Sequence, residues 1–213
     1  MSAASDFLAC TASPSTASQL FSAIDETNAL LPGHFALQRQ RHSAMALRFR
    51  AIARDSNALA LAAGALIKQT QWSWAEVTIV SPETAGFFLG AAIAKQVGCP
   101  HAVVQTDMRR LPTNRLVAGT IPKGAPVVVV NDVASTGTTL DPIRELIQQS
   151  GATFLGVLAF AVVGPAEFLA YGNRYSAQVA WSMAARWSAV EPGPSTCDGC
   201  QRKLPLLPIA EFS

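Results

Sequence analysis

The chain has 213 residues and a formal net charge of +2, with half of its residues hydrophobic and 14% charged. This length is sufficient for one sizeable core and short for two, which favours a single domain with terminal extensions. No cluster of Lys and Arg is longer than Arg109-Arg110, so the sequence argues against a nucleic-acid surface and favours small anions as partners. No stretch reaches the roughly 18 consecutive apolar residues of a membrane span, so we expect no membrane association.

The first 19 residues are rich in Ser, Ala and Thr and lack the basic start and long apolar stretch of a signal peptide. We therefore expect residues 1–19 to form a disordered tail. The four cysteines do not make a disulfide framework in a chain of this size, which favours a reducing cytoplasm as the location.

Helices and strands alternate through the middle of the chain. The predicted helices cover residues 55–68, 83–97 and 140–150, and the predicted strands cover residues 77–80, 102–105, 127–130 and 154–163. This alternation predicts right-handed βαβ units on a parallel sheet. Residues 106–123 show no clear periodicity, and because loops of that length are usually functional or mobile, we expect a mobile loop there.

The third predicted strand leads into the most informative segment of the chain. The four valines at 127–130 are β-branched and lack alternation, which predicts a central strand buried on both faces. Ligands of parallel sheets bind beyond the carboxyl ends of the strands, where Asp132 and residues 133–139 follow. Hydroxyl side chains and Gly137 let several N–H groups converge on one oxyanion, and the next helix directs its N-terminus to the same point. The segment therefore predicts an anion site beside a carboxylate.

Other phosphate and nucleophile motifs lack support. Residues 119–124 have the outer glycine spacing of a Walker A loop, but Ala125-Pro126 replaces the Lys-Ser/Thr pair and a strand follows instead of a helix. The sequence has no G-x-G-x-x-G after a strand and no G-x-S-x-G. A nucleotide hydrolase, a dinucleotide dehydrogenase and a serine hydrolase are thereby disfavoured.

Residues 127–140 resemble the phosphoribosyl diphosphate (PRPP) signature of type I phosphoribosyltransferases, a hydrophobic strand followed by two acidic residues and a Ser/Thr/Gly loop. Asn131 stands at the first acidic position. Gly33-His34-Phe35 with Arg41-His42-Ser43 resembles the opening of orotate phosphoribosyltransferases. Weaker similarities extend the resemblance to roughly residues 30–208, and they lie at 48–50, 80–86 and in the Cys197-Asp198-Gly199-Cys200 ending.

The resemblance implies the type I phosphoribosyltransferase fold, an α/β fold with a mostly parallel five-stranded sheet flanked by helices. A small hood is built from the N-terminal part and the chain end. The expected organisation is a disordered tail (1–19), a phosphoribosyltransferase-like domain including the hood (20–195) and a C-x-x-C extension packing on the hood (196–213). Members usually work as homodimers, and in the family a flexible loop at the position of residues 106–123 closes over the site.

The same resemblance implies an enzyme of pyrimidine biosynthesis. Such a pentosyltransferase moves ribose 5-phosphate from PRPP to a nitrogenous base or similar small acceptor, with Mg²⁺ and release of pyrophosphate. The implied site residues are catalytic Asp132, Asn131, Arg109 and Arg110; 5′-phosphate-binding Ala134, Ser135, Thr136, Gly137, Thr138 and Thr139; pyrophosphate-binding Pro82, Glu83, Thr84 and Ala85; and acceptor-binding Arg48, Phe49 and Arg50.

Two departures leave an alternative function open. Asn131 lacks the charge that strengthens hydrogen bonds from a ribose hydroxyl, and Gln105-Thr106 stands where orotate enzymes carry an Arg-Lys pair. The alternative is a PRPP-sensing regulatory or partner-binding protein with weakened or no catalysis.

The cysteine pair at the chain end also has several interpretations. Cys197 and Cys200 are compatible with half of a zinc site, a redox pair or a turn held by Gly199. His34, His42 and His101 are far away in sequence, so a symmetric dimer that pools two cysteine pairs is the expected route to four ligands.

Overall fold

The computed structural model describes residues 3–37, 40–83 and 86–208. The larger of its two sheets contains β1 (Phe7–Cys10), β4 (Thr78–Pro82), β5 (His101–Thr106), β6 (Pro112–Ala118), β7 (Pro126–Ala134), β8 (Thr153–Val162) and β9 (Gln178–Ala185). The smaller sheet contains β2 (Leu30–Ala36), β3 (His42–Leu47) and β10 (Leu207–Pro208). The helices are α1 (Pro14–Glu26), α2 (Phe49–Ile52), α3 (Ser56–Ile67), α4 (Phe87–Val97), α5 (Asp141–Gln149), α6 (Pro165–Arg174) and α7 (Asp198–Gln201). Within these ranges no helix has both the length and the apolar character to cross a membrane.

The larger sheet has the strand order β1-β9-β8-β7-β4-β5-β6. Its five central strands are parallel to one another, and β1 and β6 pair antiparallel on the two edges. The predicted mostly parallel α/β sheet flanked by helices is therefore confirmed, with an antiparallel strand added on each side. The carboxyl ends of β4, β5 and β7 lie at the same edge, and this edge positions the candidate site.

The valines of β7 show why this strand is central. Val128 and Val130 pack into the cluster formed with α1, α3 and α4, whereas Val127 and Val129 pack against α5 and α6. All four are at most 1% exposed. A continuous apolar run is needed because both faces of the sheet are covered by helices.

Local signals set the helix ends. Asp55 caps α3 by accepting hydrogen bonds from the N–H groups of Asn57 and Ala58. The helix expected over 83–97 begins only at Phe87, because Gly86 adopts a left-handed conformation at its N-cap, and it ends at Gly98 as expected.

The expected disordered tail is wrong for the described N-terminal residues. The backbone of β1 pairs with β9, and the Phe7 ring, 2% exposed, packs against Phe21 and Trp187. Helix α1 follows, with Ser13 as its N-cap and Leu20 and Ile24 in the core. The Ser/Ala-rich composition concealed these few large apolar residues, and their burial orders the segment.

The expected loop at 106–123 is also wrong for residues 112–118, because β6 pairs antiparallel with β5 to make a hairpin. Asp107 holds the turn with one carboxylate oxygen, which accepts from the N–H groups of Arg109 and Leu111 at 2.8 Å each. β6 is mostly exposed and pairs on one side only, so it lacks the apolar periodicity by which strands are recognised.

The smaller sheet has the order β10-β2-β3. β2 and β3 are antiparallel, with Ala36 opposite His42, while β10 runs parallel to β2, with Leu207 opposite Phe35. We call this sheet together with α7 the hood. It joins the N-terminal part to the chain end, as the resemblance implies.

Candidate active site

Asp132 lies within β7, since the strand continues to Ala134 instead of ending at residue 130 as expected. One of its carboxylate oxygens accepts a hydrogen bond from the Val133 N–H at 2.6 Å. Burial raises the pKa of this carboxyl from 3.8 to about 6, opposed by backbone hydrogen bonds and by the positive charge of Arg50. The second carboxylate oxygen has no hydrogen bond to the described residues, so it is open to a ligand.

Asn131 occupies a different environment from its neighbour. It is 6% exposed, and its side-chain Nδ2 donates to the Val133 carbonyl at 2.8 Å. Its Oδ1 is buried with no hydrogen-bond partner among the described residues. The amide is thus folded against its own strand, and a carboxylate in this rotamer would face a carbonyl oxygen.

The turn after β7 carries the expected phosphate loop. Residues 135–137 form a bend, a short 3-10 helix covers Thr138–Leu140, and α5 follows. In the described part of the chain, the N–H groups of Ser135, Thr136 and Gly137 donate no hydrogen bond. The Thr136 and Thr138 hydroxyls lie 2.8 Å apart. Unsatisfied donors next to a helix N-terminus are a general means of binding an anion.

Gly137 determines the path of this turn. Its φ is +75°, and a Cβ there would lie 2.6 Å from Cγ of the Tyr171 ring. The ring of Tyr171, on α6, therefore packs directly against the turn, and only glycine allows this approach.

The loop after β4 lies beside β7. A Cβ on Gly86 would come within 2.3 Å of the Val130 carbonyl oxygen, so the loop backbone touches the strand just before Asn131. Pro82 is buried at the end of β4. The Glu83 N–H donates to the Val104 carbonyl, and the Glu83 carboxylate accepts from the Thr106 N–H at 3.3 Å. Glu83 therefore uses its backbone donor in the sheet, while Thr84 and Ala85 lie outside the described residues.

Arg109 and Arg110 lie at the tip of the β5–β6 hairpin. This tip follows the carboxyl end of β5, at the same sheet edge as Asp132. Two strand spacings separate β5 from β7, or about 10 Å in the sheet direction. Arg109 is exposed and Arg110 is half-buried.

The three residues expected to contact the acceptor differ from one another. Phe49 is 3% exposed and packs on Phe160 with ring centroids 4.9 Å apart, which leaves no open face for a substrate. Arg48 donates to the Asn28 carbonyl at 2.5 Å. Arg50 is exposed, and its charge acts on Asp132. Of the three, Arg50 is the one whose charge lowers the pKa of Asp132.

Cys197 and Cys200 lie beside two histidines of the same chain, so four ligands come together without the pooling of two cysteine pairs that was expected. His34 and His42 come from β2 and β3, and the ligand atoms of the four residues all lie within 4.8 Å of one another. We call these four residues the His–Cys cluster. The sequence carried a usable signal, because Gly-His-Phe and His-Ser belong to the hood motif that the chain end was expected to contact.

A half-buried carboxylate and a nearby turn with N–H groups that donate to no described residue lie at the carboxyl edge of a parallel sheet, and the charge of Arg50 acts on the carboxylate. This is the arrangement by which α/β enzymes bind phosphorylated ligands. The comparisons with known proteins narrow this class further.

Residues 52–167 match the family described as the phosphoribosyl transferase domain. The orotate phosphoribosyltransferase of Sphingopyxis alaskensis is 30% identical over 139 residues, which cover 64% of this chain and 69% of that protein. That of Chlorobaculum parvum is 24% identical over 192 residues, covering 90% and 94%. Among solved structures, the orotate phosphoribosyltransferase of Aeropyrum pernix has a TM-score of 0.65 at 23% identity, covering 78% of this chain and 93% of that one.

The chain belongs to the phosphoribosyltransferase family. It is a phosphoribosyltransferase enzyme that transfers the phosphoribosyl group from PRPP. The alternative of a PRPP-sensing regulatory or partner-binding protein is not favoured.

Proposed function

We propose that the acceptor is a nitrogenous base of the orotate class, converted to its ribose 5-phosphate derivative with release of pyrophosphate. The relatives named above are orotate phosphoribosyltransferases, and they span most of this chain. The observation that carries the proposed site is Asp132, half-buried near the end of β7 and shortly before a turn in which the N–H groups of Ser135, Thr136 and Gly137 donate to no described residue.

The reaction passes through an oxocarbenium-like state at C1 of the sugar, so the protein must hold the ribose and stabilise the departing pyrophosphate. We assign the ribose to Asp132. Its second oxygen accepts a hydrogen bond from a ribose hydroxyl, and the Val133 N–H holds the carboxylate in place. Asn131 positions the backbone on which Asp132 sits, because its amide is bonded to the Val133 carbonyl.

We assign the 5′-phosphate to the turn at Ala134 to Thr139. The N–H groups of Ser135, Thr136 and Gly137 are available, and the Thr136 and Thr138 hydroxyls can turn from each other toward a phosphate oxygen. The N-terminus of α5 adds its dipole.

The pyrophosphate is assigned to the loop at 82–86 and to the hairpin tip. Arg109 and Arg110 supply the positive charge, and they follow the carboxyl end of β5, two strands away from β7 in the sheet. Mg²⁺ bound to pyrophosphate oxygens usually takes one or two protein carboxylates as well, and the second oxygen of Asp132 has a further lone pair for such an ion beside the one that accepts from the ribose. The ion supplies charge neutralisation on the leaving group when bound.

Arg50 is assigned to the acceptor, because it is exposed and its positive charge lowers the pKa of Asp132. A guanidinium recognises a carboxylate on the base by paired hydrogen bonds. We further propose a homodimer, because members of the family usually work as homodimers. We also propose a cytoplasmic location, supported by four cysteines that form no disulfide.

The test combines binding and turnover. PRPP with Mg²⁺ is titrated by calorimetry, and pyrophosphate release is followed over orotate, uracil, purines and pyridine carboxylates. Orotate or a close carboxylated base should react fastest, and Arg50→Ala should raise the KM for that base more than for uracil. Fastest turnover with a purine would overturn the assignment of the acceptor.

The site itself is tested with Asp132→Ala. We expect a loss of roughly 10- to 100-fold in kcat/KM, because hydrogen bonds to charged groups contribute about 1.5–3 kcal/mol. Glu26→Gln, an exposed acid at the end of α1, is the matched control and should leave activity unchanged. Normal activity in Asp132→Ala would place the site elsewhere.

A further inference from the structure

The His–Cys cluster is assembled from segments that are distant in the sequence. His34 lies on β2, His42 begins β3, Cys197 precedes α7 and Cys200 lies inside it. The antiparallel pairing of β2 with β3 brings the two histidines to adjacent strands, and the parallel pairing of β10 with β2 brings the chain end beside them. Nothing in the phosphoribosyl transfer uses these four side chains.

Three nitrogen–sulfur distances within the cluster match those of a metal coordination shell, while the nitrogen–nitrogen distance is shorter. His34 Nε2 lies 2.9 Å from His42 Nδ1, 3.4 Å from Cys197 Sγ and 3.7 Å from Cys200 Sγ. Cys200 Sγ lies 3.3 Å from His42 Nδ1. A tetrahedral zinc with Zn–N of about 2.1 Å and Zn–S of about 2.3 Å places its ligands roughly 3.3–3.8 Å apart.

The protonation of His34 follows from a second contact. Its Nδ1 lies 3.0 Å from the Leu204 carbonyl oxygen, which can only accept, so Nδ1 carries the proton and Nε2 presents its lone pair to the cluster. A backbone carbonyl in this position is the usual outer partner of a metal-bound histidine.

This lone pair faces three atoms at once, namely His42 Nδ1 and both sulfur atoms. One acceptor cannot satisfy three neighbours by hydrogen bonding, whereas one cation among four lone pairs satisfies all of them. His34 is 4% exposed, His42 7% and Cys197 5%, so water is largely excluded from the same space. Two thiolates cancel the charge of a divalent ion, which makes the buried site neutral as a whole.

The packing around the cluster depends on Gly199. A Cβ at this residue would lie 2.4 Å from Cγ of His34, so the backbone of α7 rests directly on the imidazole ring. The glycine allows Cys197 and Cys200 to approach the histidines from one side. The C-x-x-C spacing and the glycine within it thus act together.

We propose that the cluster binds one Zn²⁺ within a single chain. Two nitrogen and two sulfur donors form the ligand set of tetrahedral structural zinc sites, which favours zinc among the common divalent ions. Four protein ligands leave no open position, so the ion is structural and ties the chain end to the strands of the hood. This assignment is independent of the acceptor base.

The first experiment measures metal content by mass spectrometry on the full chain, purified without a histidine tag and without chelators. We expect one zinc per chain, and at least a tenfold loss in His42→Ala and in Cys200→Ser. Cys10→Ser and Cys99→Ser are matched controls, since these cysteines lie outside the cluster and should keep the metal. Less than a tenth of an equivalent, or zinc that survives both ligand variants, would overturn the proposal. One zinc per two chains would instead support sharing between subunits and would also overturn it.

The second experiment needs no variant and therefore does not depend on variant folding. Zinc is removed under reducing conditions and Co²⁺ is added to the unmodified chain. Strong visible bands of tetrahedral cobalt together with a sulfur-to-cobalt charge-transfer band are expected at one equivalent. Weak octahedral bands alone, or a Cys197–Cys200 disulfide in the freshly purified protein, would contradict the site.

Discussion

The carboxyl end of β7 and the His–Cys cluster both collect polar side chains, but their polar groups are satisfied in opposite ways. At the end of β7, an oxygen of Asp132 and the N–H groups of Ser135, Thr136 and Gly137 form no hydrogen bond with any residue that the structure describes. In the cluster, the donor atoms of four residues face one another within 4.8 Å. The first arrangement is open to a substrate that comes and goes, whereas the second is closed around its own centre.

The two regions also differ in how the chain builds them. The open site comes mostly from one contiguous segment, so its chemistry is visible in 14 consecutive residues, 127–140. The cluster joins His34 to Cys197, which are 163 residues apart. A contiguous site tolerates changes elsewhere in the chain, while a dispersed one depends on the pairing of β2 with both β3 and β10.

The largest expected effects come from two glycines, one in each region. Gly137→Ala adds a left-handed penalty and a clash with Tyr171, together about 2–5 kcal/mol, while Gly199→Ala adds a clash with His34 of about 1–3 kcal/mol. Gly137→Ala should lose PRPP binding and keep zinc, and Gly199→Ala should lose zinc and keep PRPP binding. Urea denaturation, calorimetry and metal content measure the three effects.

Gly98→Ala is the control for backbone strain, because its φ is +74° and no atom lies within 4 Å of the added Cβ. It should cost about 1 kcal/mol and leave both ligands bound. If both test variants lost both ligands together, the two regions would not be separable.

Keeping Asp132 ionised lowers the stability of the folded state. Its pKa is raised from 3.8 to about 6, so the folded state is penalised by roughly 3 kcal/mol above pH 6, and the penalty disappears as pH falls toward 3.8. Asp132→Asn should therefore stabilise the unliganded protein at about pH 8, and much less at about pH 4.5. Denaturant unfolding of the variant and the unchanged protein at the two pH values measures this. An equal difference in their free energies of unfolding at both pH values would contradict it.

Asn131→Asp examines the departure from the family signature. In the observed rotamer, a new carboxylate would replace the donor to the Val133 carbonyl and lie next to Asp132, which should cost about 1–3 kcal/mol near neutral pH. Thermal unfolding and turnover are measured together. Unchanged stability with a large gain in turnover would mean that the side chain turns outward and that the native enzyme is weakened at this position.

The smallest effect is expected at the hairpin tip. Arg109→Ala should weaken pyrophosphate or PRPP binding by a few-fold, since an exposed charge contributes about 0.2–1 kcal/mol. Arg115→Ala removes an exposed charge from β6 of the same hairpin and is the matched control. Equal effects of the two changes would mean that only overall charge matters.

Much of the sheet could be predicted because its central strands are recognisable from local sequence patterns. The valines of β7 and the alternation of strands with helices indicate the parallel core without knowledge of any contact. The edges could not be predicted in this way. β1 is four residues long, and β6 is a half-exposed strand whose identity depends on its neighbour β5.

The candidate site shows the same division. The turn at 135–139 and Asp132 follow from residue order, whereas the inward fold of Asn131 and the burial of Phe49 against Phe160 depend on packing. The histidine partners of Cys197 and Cys200 depend on strand pairing across almost the whole chain. No periodicity within one segment contains that information.

Gly199 has a consequence for how this protein can change through mutation. Any other amino acid places an atom where the His34 ring already lies, although the residue itself holds no metal and touches no substrate. A library of all single substitutions, selected for growth or for folded protein, should therefore show position 199 as intolerant as the four side chains around it. A glycine that binds no ligand would then tolerate substitution as poorly as the residues of the His–Cys cluster.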